Sequence, residues 1–71
     1  MKKLIQLNTN ELESLYLNKN VLIKFNDGSQ KRHYISGIGV DGKDKNLPIG
    51  FLVDNSDVII TIFHIQDIVI L

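Results

Sequence analysis

Lys31-Arg32-His33-Tyr34 is the run of this chain best equipped for chemistry. Two cations and two planar rings in succession can grip phosphate and stack a base. The plainer reading is a solvated strand face with Tyr34 partly packed. Lys43 and Lys45 add positive charge on a nearby loop, but Asp41 and Asp44 alternate with them and cancel most of the field beyond a Debye length. His64 closes an apolar run and reads in two ways, as a hydrogen-bond partner for a nucleotide at a subunit junction or as the cap of a turn. Asp67 reads as bonding the backbone amides of that turn. Asp27, Asp41, Asp44, Asp54 and Asp57 all fall in turn-like segments, where aspartate binds neighbouring backbone amides and needs no catalytic role. The chain has no phosphate-cradling glycine loop, nucleophile elbow or metal motif. Its two histidines lack metal-ligand spacing, and it has no cysteine. These residues predict binding without catalysis, metal or cofactor.

Seventy-one residues make one domain, 1–71. A chain this short buries only about 60% of the surface its unfolded form exposes. Disulfides, a metal or oligomerisation usually supply the missing stability, and here oligomerisation remains. Basic and acidic residues balance at eight each, for zero formal net charge. Dedicated nucleic-acid binders usually carry a basic excess, so the balance weighs against that class while leaving room for a local patch. The apolar run after Lys2-Lys3 is too short for a signal peptide. No stretch approaches the roughly 20 apolar residues of a membrane span. A cytoplasmic protein without a membrane partner is expected. The lack of alanine and the wealth of Ile, Asn and Lys, residues with AT-rich codons, suggest a low-GC bacterium or one of its phages or plasmids.

The elements that must position these residues are a helix and five strands. Leu7 to Leu17 reads as one short helix, about 9–17 in its body. Asn8 is the N-cap, Glu11 completes a capping box, and Leu7 and Leu12 form a hydrophobic staple. Leu12, Leu15 and Tyr16 then face the core. Val21, Ile23 and Phe25 alternate as in a half-buried strand, and Asn26-Asp27-Gly28 is a tight turn. Ser29 to Val40 is a long strand bent at Gly37 and Gly39. Asp41 to Asn46 is a charged loop tip. Leu47 to Val53 is a third strand, weakened by Pro48 and Gly50, and Asp54 to Asp57 is a polar turn. Val58 to Phe63 is a fourth strand, His64 to Asp67 a short 3₁₀-type turn, and Ile68 to Leu71 a fifth strand.

A helix followed by five short, strongly bent antiparallel strands, over about 21–71, is the plan of small SH3-like or Sm-like barrels. From Leu12 to Leu71 the chain resembles the Sm-like family, including its bacterial Hfq-type RNA-chaperone branch. Asn20-Val-Leu-Ile-Lys-Phe-Asn-Asp-Gly28 is similar to the family's first strand and turn. Gly37-Ile-Gly-Val-Asp41, followed by Asn46-Leu47, is similar to the first Sm motif, whose loop holds a base. Phe63-His-Ile-Gln-Asp-Ile-Val-Ile-Leu71 is similar in shape to the second. The chain departs from the pattern in three places. The Asp41–Asn46 loop is one residue longer than the motif's usual spacing, Pro48 and Gly50 interrupt the next strand, and neither an Arg-Gly nor a Lys-His pair marks the second motif. The resemblance implies a mainly β fold and binding of RNA or a nucleotide through Lys31, Arg32, His33, Tyr34, Asn46 and His64.

The Val58–Leu71 segment adds an expectation of assembly. An apolar strand with two greasy faces needs cover on both. Sm-like proteins form rings by pairing the fourth strand of one copy with the fifth of the next, and such pairing also removes exposed strand edges. The resemblance therefore implies a homo-oligomer, a ring by heterologous contact or a two-fold dimer, with Val58, Ile60, Ile62, Ile68 and Ile70 at the interface. A second functional class remains open: a protein–protein interaction module, such as an inhibitor or accessory factor from a phage or mobile element, with no nucleic-acid ligand.

Overall fold

The computed structural model describes residues 4–71. A short 3₁₀ turn, Leu4–Gln6, leads into helix α1, Thr9–Tyr16. The helix starts where local chemistry directs. The Asn8 side chain accepts from the Glu11 N–H at 2.8 Å, and Glu11 accepts from the Asn8 N–H at 3.1 Å. This reciprocal capping box satisfies two donors that a helix start otherwise leaves unpaired. Thr9, Leu12 and Tyr16 form the inward stripe: Leu12 is fully buried, and the Tyr16 ring meets Phe51 edge-on at 5.7 Å between centroids. Leu15, expected to face the core, is 45% exposed. Its position is displaced around the helix from the stripe set by Thr9 and Leu12. The helix ends at Tyr16, and Asn18, at φ 62°, reverses the chain.

Five strands follow: β1 Asn20–Phe25, β2 Gln30–Val40, β3 Pro48–Val53, β4 Ile59–Thr61 and β5 Ile65–Ile70. All paired neighbours are antiparallel, in the order β4-β3-β2-β1-β5. The chain is thus mainly β, with one short α-helix. The ladders end at β4 and β5, and none among the described residues joins these two, so the sheet is open. Strand β2 pairs with β1 through Tyr34 and with β3 from Ile35 onward. The change of partner falls just before the glycines expected to bend it. Gly37 and Gly39 instead flank register shifts in the β2–β3 ladder.

The fourth and fifth strands differ from the sequence expectation. Strand β4 stops at Thr61, a 3₁₀ turn occupies Ile62–His64, and β5 already begins at Ile65. Packing decides this. In a 3₁₀ turn, residues three apart lie on one side, and Ile62 and Ile65 are both buried, at 3% and 8% exposure. A strand continued to Phe63 would not have placed that pair together. Ile62, Ile65, Leu12, Val21, Ile23, Ile35, Phe51 and Val53 make the core. Among the described residues, every buried side-chain nitrogen and oxygen has a hydrogen-bond partner. No helix among them is long and apolar enough to cross a membrane.

Gly50 lets β4 approach β3. It lies opposite Thr61, and a Cβ built on it would overlap the Ile60 carbonyl oxygen and stand 2.8 Å from the Thr61 Cα. The neighbouring atoms are backbone and cannot turn away. Gly50→Ala should therefore lose about 3 kcal/mol of unfolding free energy, measured by urea denaturation with the wild type alongside. A loss below about 1 kcal/mol would show that β4 can shift without cost.

Candidate ligand-binding site

The Lys31–Tyr34 run sits in β2, and a strand sends successive side chains to opposite faces. Lys31 and His33 lie opposite Ile23 and Val21, whereas Arg32 lies opposite Leu22. Each face of the strand thus receives one cation and one ring. The four side chains do not form a single cationic surface. Tyr34 is further committed, donating its hydroxyl to the Asn18 side chain at 2.9 Å.

Asp54, in the turn between β3 and β4, organises this region. Its Oδ1 accepts from the Tyr34 N–H at 3.0 Å, and its Oδ2 lies 2.7 Å from His33 Nδ1. Its own N–H donates to the Tyr34 carbonyl at 2.8 Å. Both Asp54 and Asn55 hold left-handed backbone conformations, φ 57° and 55°. Such conformations are uncommon outside glycine, and Asp and Asn tolerate them best. The Tyr34 N–H, followed by the His33 hydrogen bond, holds the Asp54 carboxyl below the ordinary aspartate range. Asp27 is lowered in the same way, chiefly by the Ser29 hydroxyl and N–H at 2.6 and 2.9 Å. A cleft of about 280 Å³ opens beside Asp54, lined also by Asn20, Arg32, His33 and Leu71.

Asn46 and His64 lie in other neighbourhoods. Asn46 caps the charged loop, its N–H donating to Asp44 Oδ1 at 3.0 Å and its carbonyl receiving the Thr9 N–H at 3.4 Å. The Thr9 hydroxyl donates to the Lys45 carbonyl at 2.7 Å, so this loop is docked on the start of α1. His64 ends the second 3₁₀ turn, with Nδ1 3.1 Å from the Thr61 hydroxyl. The backbone there is tied to the end of β1: Asn26 donates from its side chain to the Phe63 carbonyl at 2.7 Å and from its N–H to the His64 carbonyl at 3.0 Å. His64 shares a cleft of about 290 Å³ with Phe25, Asn26 and Asp27. A wider cleft of about 690 Å³ borders β5, lined in part by Ile5, Tyr16, Phe63 and Asp67. Burial, aided by the Asp67 charge, raises the Tyr16 phenol there.

The apolar residues of 58–70 divide between inside and outside. Ile62 belongs to the core, and Ile60 and Ile68 are half-buried against it. Val58, Ile59, Phe63, Val69 and Ile70 are exposed by 47–68%. Among the described residues, no group of three or more His, Asp or Glu side chains is placed to hold a metal.

Sequence reasoning missed Asp54, Asn20 and Leu71 as parts of the Arg32–His33 neighbourhood. Asp54 stands 21 positions from His33, and its turn signal gave no indication of which strand it would meet. A carboxylate held below its ordinary value stabilises the fold above its unfolded value and loses that contribution as pH falls through its folded value. For Asp54 the window lies below about pH 4. Asp54→Asn should accordingly be less stable than wild type at neutral pH, with the difference shrinking towards zero as pH falls below about 4. Chemical denaturation at stepped pH reads this directly, and a pH-independent difference would remove the ionic role of Asp54.

Set against known proteins, the chain matches no family model, no curated protein and no solved structure.

Proposed function

We propose that this chain is a non-enzymatic, self-associating binding module of Sm-like, SH3-like small-barrel build, acting on RNA or a nucleotide in the cytoplasm. The observation that carries the reading is the strand plan: the order β4-β3-β2-β1-β5, a β2 shared between two partners, and a 3₁₀ turn between β4 and β5. A helix followed by five antiparallel strands, the second of them shared, supports the motif resemblance. Among the described residues it leaves β4 and β5 as free edges beside exposed Val58, Ile59, Val69 and Ile70. Unpaired edges flanked by apolar side chains favour addition of another strand. In this reading β4 of one copy pairs with β5 of the next, and Val58, Ile60, Ile68 and Ile70 contribute to the contact. Ile62 is already used by the core. Lys31, Arg32, His33 and Tyr34, with Asn46 and His64 at separate places, are the ligand contacts.

A second reading, a protein-interaction module or an inhibitor from a phage or mobile element, is favoured by one observation. The Asp54 carboxylate stands within the cationic run, in a chain of zero net charge. A purely phosphate-gripping surface gains nothing from such a group.

Two measurements separate these outcomes. Light scattering at tens of micromolar should give a mass that is a multiple of 8.1 kDa; a clean monomer overturns the assembly. Fluorescent oligouridine or oligoadenosine should bind at low salt and lose affinity steeply between about 50 and 200 mM. Absence of binding even at low salt removes the RNA reading and leaves the protein partner.

A further inference from the structure

The Asp54 carboxylate is held in place from two sides, yet its side chain remains 53% exposed at the rim of the cleft. His33, whose side chain is only 17% exposed, is the positioning residue that holds Oδ2. Each carboxylate oxygen accepts one internal hydrogen bond and keeps capacity for another. An anion so fixed repels phosphate and calls for a ligand edge that donates hydrogens. Arg32 lines the same cleft, and among the described residues its guanidinium has no hydrogen-bond or ion-pair partner. Asn20 and Leu71 complete the lining. At about 280 Å³ the cleft falls just below the usual range for ligand pockets, about 300–1,000 Å³. That size suits a single planar ring system better than a whole dinucleotide.

Among the four RNA bases, guanine alone presents two adjacent donors, N1–H and the N2 amino group, on its Watson–Crick edge. On its neighbouring edge, O6 and N7 accept two hydrogen bonds from an arginine. We infer that the cleft between Arg32, His33, Asp54, Asn20 and Leu71 is a base-reading pocket for guanine, with Asp54 accepting from N1–H and N2 and Arg32 donating to O6 and N7. The inference rests on the nucleotide-binding reading above and adds the identity of the base.

The test is a ¹H–¹⁵N NMR titration of the whole protein with GMP, IMP, AMP and UMP at low salt, with oligouridine and oligoadenosine alongside. GMP should bind about 5- to 150-fold more tightly than AMP or UMP, the range one good bidentate base contact supplies. IMP, which lacks the N2 amino group, should fall between. The amide signals of Tyr34 and Asp54 should move first. Asp54→Asn, which keeps an oxygen for the Tyr34 N–H, should reduce the guanine preference to less than twofold; if that variant fails to fold, the wild-type base series decides. Equal binding of all four nucleotides overturns the pocket and leaves the nucleotide reading standing. So do oligonucleotide binding without GMP binding and shifts confined to Asn46 or His64. Absence of binding by every nucleotide and oligonucleotide overturns both.

Discussion

Strand β2 has to exchange one hydrogen-bonding partner for another in mid-course, and the rest of the structure is arranged around that exchange. A buried backbone N–H or carbonyl left unpaired costs as much as a lost hydrogen bond, so the residues at the changeover need substitutes. Asp54 serves Tyr34 at both groups, accepting from its N–H and donating to its carbonyl. The Asn18–Lys19 reversal serves Ile35 in the same way: Lys19 accepts from the Ile35 N–H at 3.0 Å and Asn18 donates to its carbonyl at 2.8 Å. The left-handed backbone at Asn18 and Asp54 brings those groups into reach. With the changeover satisfied, the sheet can fold over on itself and enclose Val21, Ile23, Ile35, Phe51 and Val53.

The same changeover gives the candidate site its character. It places a carboxylate beside a strand of cations and directs one oxygen to His33. A structural bond and a solvent-exposed carboxylate are thus two parts of one side chain. The remaining chemistry of the chain is spent locally. Asn46 holds a loop against the helix, and the backbone around His64 is fastened to β1 by Asn26. At the far edge of the sheet, Gly50 permits a backbone approach that no other residue allows, and β4 is kept to three residues. Small domains have little core to spare. This one commits Ile62 and Ile65 to closing its interior and leaves Val58, Ile59, Phe63, Val69 and Ile70 outside.

Legibility in the sequence followed the range of the interactions. The start of α1 could be read because Asn8 and Glu11 act on each other across a single turn. The Asp27-Gly28 turn could be read because Gly28, at φ 91°, and the Asp27–Ser29 bonds are equally local. The length of β2 was also legible, although its change of partner falls at Tyr34–Ile35 rather than at the glycines expected to bend it. The end of β4 was not, because an Ile-rich run has the same composition as a strand or as a 3₁₀ turn. Leu15 was misplaced for a related reason: helical spacing marks which residues share a stripe, but not how wide a stripe the sheet will cover.

The sequence by itself determined the elements whose causes lie within a few residues: the capped helix, the tight turn, the mainly β character and the separation of polar turns from apolar strands. Local propensity and capping act before any distant contact forms, so their signals survive in one dimension. Only the tertiary structure decided which face of β2 each of Lys31–Tyr34 occupies, the burial of Ile62 and the meeting of His33 with Asp54. Each depends on which strand lies beside which and in what register. A shift of one residue in register sends every side chain to the opposite face, and the packing that sets it involves residues distant in the chain.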